Sequence, residues 1–283
     1  PPGARISAVP GTLIEMDRWF LLMSPAAPGA ENMALDETLL ERAERGAAPV
    51  LRLYSFDPPA ITIGAHQDPS RALDLGAVRA DGVDVVRRTT GGRALLHAGE
   101  LTYCVAAPSR DGRFGRSVTD CYRRISEALA LALRNLGVSA SVSRGGRESA
   151  RGAAPPPCLS SVTRWELSAG GRKIAGSSQR TTASAFIQHG SILLRPGSER
   201  IERYVPGKRD ALGSRITNVA DELGRDVDAA ELRDAVAEAF RARFDIVWEP
   251  LVLSLPEREE VGERSRAKRA ELAPYLRGEV VSP

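Results

Sequence analysis

The chain has 283 residues, of which 42% are hydrophobic, enough for one substantial core. No apolar run reaches the roughly 20 residues of a membrane helix, the N-terminal residues lack a signal-peptide pattern, and a net charge of +3 is too small to indicate nucleic-acid binding. Three widely spaced cysteines, Cys104, Cys121 and Cys158, argue against a disulfide framework and favour a reducing compartment. We therefore expect a cytoplasmic, monomeric protein with one main domain.

The first predicted elements are a helix and several short strands. Asn32 is interpreted as the cap of a helix over residues 32–45, which Gly46 ends. The runs VLRLYSF and AITIGA, separated by residues 57–59, predict a pair of strands. DVVRRTT and ELTYCVAAP predict two more strands around a glycine turn. Cys104 lies inside the last of these, where a small buried side chain is expected.

The second half of the chain alternates between helices and strands. Ser117 and Asp120 resemble a capping box before a helix whose core-facing side includes Cys121. Residues 144–157 have no apolar periodicity and predict a mobile loop. RWELSAGGRKIAGSSQ predicts a hairpin, FIQHGSILL a strand, and residues 228–244 a helix, followed by the short strand DIVWE and a C-terminal helix.

This order of elements predicts an α+β fold with mixed sheets flanked by helices. We expect a catalytic domain over residues 1–250 and a C-terminal helical extension over residues 251–283.

Lysine is rare in this chain, and its positions are therefore informative. Only three of the 39 basic residues are lysines, at positions 173, 208 and 268. Arginine keeps its proton in proteins, whereas a lysine can lose it, so a lysine retained in an arginine-rich chain is a candidate for proton chemistry. We apply this argument to Lys173 and interpret Lys208 and Lys268 as surface residues.

Cys158 is the cysteine best placed for catalysis, because it lies outside any periodic element where a loop meets a strand. Thioester exchange needs a nucleophile that can leave again, a cation that favours the thiolate, and donors for the oxyanion. Lys173, on the far arm of the predicted hairpin, could meet Cys158 across a cleft, lower the pKa of its thiol and move a proton. An incidental loop cysteine and a surface turn lysine are the alternatives.

The segment RRTTGGRALLH is the third candidate feature. It places two glycines among three arginines between strands, which is typical of a backbone nest for an anion or carbonyl, a tight hairpin being the alternative. His97 and His189 border strands and are interpreted as hydrogen-bonded structural residues, with a pocket role as the alternative. No group of His, Cys, Asp and Glu has metal-ligand spacing, so we expect no metal.

Five stretches carry a resemblance to a known superfamily: ENMALDETLL, LRLYSFDPPAITIGAHQ, RRTTGGRALLHAGELTY, GRKIAGSSQ and IQHGSILL. Together, over roughly residues 15–250, they resemble the superfamily of lipoate-protein ligases, octanoyltransferases and biotin ligases. The chain is most similar to the cysteine-dependent octanoyltransferases of the LipM type, because Cys158 precedes GRK with Trp165 and Glu166 between them. The LSSV after Cys158 and the Ala98 after His97 depart from that pattern.

The resemblance implies a biotin/lipoate protein ligase-like fold and an octanoyl-acyl carrier protein that donates its acyl group to Cys158. A lysine of a lipoyl domain then attacks this thioester. The glycine-cleavage H protein and the acyltransferase subunit of 2-oxoacid dehydrogenases are the expected acceptors, and no cofactor is implied. Lys173 corresponds to the family's essential lysine. The residues assigned to substrate binding are Arg88, Gly91, Gly92, Arg93, His97, Gly176, Ser177, Gln179 and His189. Burial of six methylenes at about 0.8 kcal/mol each would contribute about 5 kcal/mol, so we expect an apolar, dry tunnel.

Three other functions remain open from the sequence. An ATP-dependent lipoate ligase forms an acyl adenylate and needs no cysteine, but many such ligases carry an accessory C-terminal domain, for which the residues after Pro250 are too few. An amidotransferase that moves octanoyl groups between carrier proteins would use similar residues. A binding protein without catalysis is disfavoured by the presence of both Cys158 and Lys173.

Overall fold

A computed structural model describes residues 18–143, 165–206 and 212–279. Cys158, Lys208 and the predicted loop over residues 144–157 lie outside the described residues. Within these three ranges, every helix is too short or too polar to cross a membrane.

The described chain forms eleven strands and seven α-helices. In chain order they are β1 (Arg18–Met23), α1 (Gly29–Glu44), β2 (Val50–Tyr54), β3 (Ala60–Ile63), α2 (Pro69–Ala72), α3 (Leu75–Asp81), β4 (Asp84–Arg87), β5 (Leu95–His97), β6 (Glu100–Pro108), α4 (Val118–Asn135), β7 (Ala140–Val142), β8 (Leu167–Ala169), β9 (Arg172–Thr181), β10 (Ala185–Leu193), α5 (Val219–Leu223), α6 (Ala229–Phe244), β11 (Val247–Pro250) and α7 (Leu255–Arg277).

The strands form two mixed sheets, which confirms the predicted α+β class. The large sheet has the order β11-β1-β2-β6-β10-β9-β8-β7, and the small one has the order β4-β3-β5. In the large sheet β1 pairs in parallel with both β11 and β2. The other neighbours, in the sheet order β2-β6-β10-β9-β8-β7, pair antiparallel. In the small sheet β3 is parallel to β4 and antiparallel to β5.

The two faces of the large sheet bury different helices, as the alternation of side chains along β6 shows. Tyr103 and Val105 belong to the core that includes α4 and α6, whereas Cys104 and Ala106 belong to the core that includes α1. Because side chains alternate between the faces of a strand, one strand serves both cores. Cys104 is fully buried and Cys121 nearly so, which confirms the predicted core positions of these two cysteines.

The predicted start of the first helix is wrong. The helix α1 begins at Gly29 after Pro28, so Asn32 lies inside it rather than at its cap. The Asn32 amide instead donates to the carbonyl oxygens of Ala27 (2.9 Å) and Ser55 (3.0 Å). The Asn32 side chain therefore supplies hydrogen bonds to loop carbonyl groups that need partners. A local capping pattern does not reveal this tertiary role.

The predicted pairing of VLRLYSF with AITIGA is also wrong. Strand β2 lies between β1 and β6 in the large sheet, so both of its edges are occupied. Strand β3 lies in the small sheet between β4 and β5. The residues between β2 and β3 therefore connect two sheets instead of turning a hairpin. They bring the small sheet beside the large one.

The C-terminal part of the chain agrees with the predicted elements. Gly170 and Gly171, both with positive φ, form the turn of the β8–β9 hairpin, a conformation that glycine adopts without strain. Asp228 caps α6 through the backbone N–H of Ala230, and β11 and α7 follow. Helix α7 packs against α1.

The interpretation of Lys268 as a surface residue is wrong. This residue on α7 is only 9% exposed, and its Nζ donates to Glu37 Oε1 (2.6 Å) and to the carbonyl oxygen of Arg87 (3.1 Å). A buried ammonium group needs such partners because it has lost its hydration shell.

The packing of the core that includes α4 and α6 can be tested at Trp19, a fully buried aromatic residue of β1. Trp19 lies 4.9 Å, between ring centroids, from both Phe114 and Phe244. We expect Trp19→Ala to lower the free energy of unfolding by about 3–5 kcal/mol, because the surrounding rings cannot fill the cavity. Urea denaturation measures this loss. Trp248→Ala, at a half-buried neighbour, should cost clearly less, and equal losses would contradict this account of the core.

Candidate active site

One cavity lies where β9 and β10 of the large sheet meet the small sheet and α1. Its lining residues are Met33, Tyr54, Thr62, Arg88, Leu95, His97, Thr102, Gly176, Ser177, Ser178, His189, Gly190 and Ser191. Although many of these side chains carry hydroxyl or imidazole groups, the surface that they present to the cavity is mostly carbon. This is possible because the polar atoms are hydrogen-bonded to one another. Such a cavity can accommodate an aliphatic chain without leaving buried polar groups unpaired.

The cavity contains some of the residues assigned to substrate binding from the sequence. Five of them line it: Arg88, His97, Gly176, Ser177 and His189. Four do not: Gly91, Gly92, Arg93 and Gln179. Gly91 to Arg93 form the loop behind Arg88, and Gln179 lies on β9 three residues beyond Gly176.

The guanidinium of Arg88 holds the glycine loop together. It donates to the carbonyl oxygens of Gly91 (2.7 Å) and Arg93 (2.8 Å). The loop also lies tightly against the end of β3, since a Cβ at Gly64 would come within 2.1 Å of the Gly92 carbonyl oxygen. The loop thus directs two carbonyl groups toward Arg88, and this contact gives the cavity wall a defined shape.

A buried ionic cluster lies next to the cavity. Asp36 of α1 accepts hydrogen bonds from Arg52 Nη1 of β2 (2.7 Å) and from the Tyr54 hydroxyl (2.8 Å), and its Oδ2 lies 2.8 Å from His189 Nδ1 of β10. Arg52 also donates to the side chain of Asn32 (2.6 Å) and stacks over the Tyr54 ring. Burial alone would raise the pKa of Asp36, but the hydrogen bond from His189, the Arg52 charge and the Tyr54 hydroxyl outweigh it, so the pKa is lowered.

The cluster orients a cavity histidine. Because Asp36 is ionised, the Nδ1–H of His189 donates to it, and Nε2 lies 2.6 Å from the Thr90 hydroxyl. Thr90 also contacts the Ser178 hydroxyl at 2.6 Å. The ring therefore has a hydrogen bond at each nitrogen and lines the cavity as well, so His189 fits both interpretations made from the sequence.

His97 has a similar arrangement on the opposite sheet. Its Nδ1 lies 3.0 Å from Glu100 Oε1, its Nε2 lies 2.9 Å from the Thr62 hydroxyl, and its ring stacks on Phe56 at 3.9 Å between centroids. Both cavity histidines are thus paired with a buried carboxylate.

Lys173 is a buried residue, which excludes the alternative of a surface turn lysine. Its side chain is fully enclosed, and Nζ donates to Glu166 Oε1 at 2.7 Å. It lies three residues before Gly176 on β9 but does not line the cavity. Sequence reasoning did not identify Glu166 as its partner, because a lone glutamate before a strand resembles a surface residue.

The buried carboxylate of Asp36 leads to a stability prediction. Asp36→Asn leaves the Arg52 guanidinium without its anion, so we expect a loss of about 3–5 kcal/mol in the free energy of unfolding at pH 7. The pKa of Asp36 is lower in the folded than in the unfolded protein. The contribution of Asp36 to the free energy of unfolding is therefore present at pH values above its pKa in the unfolded protein, and it is lost as the pH falls through its pKa in the folded protein.

Urea unfolding of Asp36→Asn and the parent protein at pH 7 and at acidic pH measures both effects, and the difference between the two proteins should shrink as the pH falls. Glu231→Gln removes an exposed partner of Arg225 and serves as the control, with a nearly unchanged midpoint. A pH-independent difference for Asp36→Asn would contradict the assigned charge.

Comparison with known proteins agrees with this architecture. A family profile described as the lipoyl protein ligase A/B catalytic domain matches residues 28–241. The octanoyltransferase LipM of Symbiobacterium thermophilum is 39% identical, covering 88% of this chain and 95% of the relative. The octanoyltransferase LipM of an Exiguobacterium species is 34% identical, covering 86% of this chain and 92% of the relative.

A solved structure shows the same fold. The crystal structure of lipoate-protein ligase A bound with ATP has a TM-score of 0.75 and 25% sequence identity, covering 89% of this chain and 95% of that one. The family profile covers more than half of the chain and includes the cavity, the Asp36 cluster and Lys173. This chain therefore belongs to the lipoyl protein ligase A/B catalytic domain family.

Proposed function

We propose that this octanoyltransferase carries its acyl group as a thioester on Cys158 and delivers it to a lysine of a lipoyl domain. Octanoyl transfer follows from the LipM relatives, which are 31–39% identical and cover at least 86% of this chain. The observation that carries the proposed mechanism is the buried Lys173–Glu166 pair, whose lysine lies three residues along β9 from the cavity wall.

The buried pair holds the Lys173 ammonium in a fixed position. An ammonium group in a water-excluded site favours a nearby thiolate more strongly than it would in water. Glu166 keeps this ammonium in place through a 2.7 Å hydrogen bond. In the proposed role, Lys173 stabilises the Cys158 thiolate and later exchanges a proton with the reacting groups.

Two acyl transfers then account for the reaction. The Cys158 thiolate attacks the thioester carbonyl of octanoyl-acyl carrier protein, a new carbon–sulfur bond forms as the bond from the acyl carbon to the carrier sulfur breaks, and the departing thiolate takes up a proton from the Lys173 ammonium. The neutral amine of the acceptor lysine attacks the acyl-enzyme, the amide bond forms as the bond from the acyl carbon to the Cys158 sulfur breaks, and the amine proton passes to Lys173, which restores both the thiolate and the ammonium. The acceptor in this proposal is a lipoyl domain such as the H protein or the acyltransferase subunit of a 2-oxoacid dehydrogenase.

The cavity supplies the site for the acyl chain. Its mostly carbon surface favours an aliphatic group, and six methylenes transferred from water would contribute about 5 kcal/mol. The other two cysteines suit the reaction poorly, because burial raises the pKa of Cys121 to about 12 and that of Cys104 well above its ordinary value. Both remain protonated thiols at neutral pH.

The acyl-enzyme is tested directly by intact mass. Incubation with octanoyl-acyl carrier protein without ATP should raise the mass by one octanoyl group, and hydroxylamine should cleave the adduct. Cys158→Ser should abolish this thioester. Cys121→Ala is the matched control and should still be acylated.

Other outcomes identify the alternatives. Strict dependence on ATP and free fatty acid would support a ligase, in keeping with the fold shared with ATP-bound lipoate-protein ligase A. Acylation from an octanoylated lipoyl domain but not from the acyl carrier protein would support an amidotransferase.

The proton role of Lys173 is tested by Lys173→Arg, which keeps the positive charge but not an easily lost proton. We expect octanoyl transfer to fall by about 10²-fold or more, in the range of general acid–base contributions. Single-turnover transfer to a lipoyl domain measures this rate, and a thermal unfolding curve checks the fold. Wild-type transfer by Lys173→Arg would limit Lys173 to a charge role.

A further inference from the structure

The C-terminal helix α7 is linked to the rest of the protein through Lys268. The ammonium group of this side chain bonds both Glu37 of α1 and the carbonyl oxygen of Arg87 at the end of β4. Lys268 is one of only three lysines in the chain, and it lies outside the cavity. The compact ammonium can donate to a carboxylate and to a backbone carbonyl from the same buried position.

Arg87 forms a second link to the same helix. Its Nε donates to Glu271 Oε1 of α7, while its Nη1 donates to the carbonyl oxygens of Gln67 (2.6 Å) and Gly64 (3.1 Å). One guanidinium therefore joins α7 to the segment that follows β3. Two residues of α7 therefore bind Arg87. Glu271 accepts a hydrogen bond from its side chain, and Lys268 donates one to its backbone carbonyl oxygen.

The segment after β3 in turn contacts the cavity wall. The backbone N–H of Ala65 donates to the Thr90 carbonyl oxygen (2.9 Å), and the absence of a side chain at Gly64 allows the close approach of the Gly92 carbonyl. Thr90 is the residue whose hydroxyl meets His189 in the cavity. A displacement of Arg87 would therefore reach the loop over residues 88–93 through backbone contacts that leave little free space.

We infer that Lys268 and Glu271 are positioning residues for octanoyl transfer: they fix Arg87 and thereby hold the loop over residues 88–93 against the acyl cavity. Neither residue lines the cavity. The catalytic consequence rests on the proposed function, whereas the mechanical link between α7 and the loop does not. A misplaced wall lowers the rate because the acyl group no longer lies in its reactive position.

The remaining contacts of α7 with α1 provide a matched control. Arg264 of α7 pairs with Glu41 of α1 (2.5 Å) and lies 3.9 Å from Glu37, whereas the bonds from α7 to Arg87 come from Lys268 and Glu271. Arg264→Met therefore weakens the interface between the helices without removing a bond to Arg87. Glu271 is 41% exposed, so Glu271→Gln should fold even if Lys268→Met does not.

Hydrogen–deuterium exchange of the intact protein tests the link. We expect faster exchange over residues 63–67 and 88–93 in Lys268→Met and in Glu271→Gln than in the parent protein and Arg264→Met. Octanoyl transfer to a lipoyl domain should show a fall of about tenfold in kcat/KM for the first two variants and no change for Arg264→Met.

Two results would overturn the inference. The first is unchanged exchange in both Lys268→Met and Glu271→Gln. The second is equally faster exchange and equally reduced transfer in Arg264→Met, since the effect would then be general loss of stability. Absence of octanoyl transfer by the parent protein would instead refute the proposed function, and the exchange comparison would still decide whether α7 positions the loop.

Discussion

The buried ion pair between Asp36 and Arg52 is the constraint on which the site depends. It joins α1 to β2, and through His189 it reaches β10, so three elements must dock correctly before its charges are paired. Removing either partner would leave a charge in a medium that solvates it poorly. A neutral, apolar replacement could pack equally well, so the value of the cluster lies in fixing the position and tautomer of a cavity histidine.

The cavity combines polar residues with a carbon surface because its polar groups satisfy one another. The two histidines each use both ring nitrogens, and Arg88 is occupied by the carbonyl groups of its own loop. Hydrogen bonds within the walls make the walls rigid and remove the need for bound water. A site of this kind can distinguish acyl chains by shape and length. Charged contacts at the far end of the chain are not required.

Local sequence patterns predicted much of the architecture. Periodic apolar residues indicated α4, the two glycines at positions 170–171 indicated the turn of the β8–β9 hairpin, and the strand context of Cys104 indicated its burial. Each of these features depends on residues that are close together in the sequence, so a short stretch of sequence is enough to predict it. The five resembling stretches also indicated the family, in agreement with the profile match over residues 28–241.

By itself the sequence determined the order of its predicted elements and the family to which the chain belongs. Only the tertiary structure decided which residues meet. Asp36 and His189 are 153 positions apart, and Lys268 and Glu37 are 231 apart. The neighbours of β2, the role of Asn32 inside α1 and the pairing of Lys173 with Glu166 likewise depend on how sheets and helices dock. The physical reason is that a buried polar group is stabilised by whichever partner the packing brings to it, and periodicity contains no information about that partner.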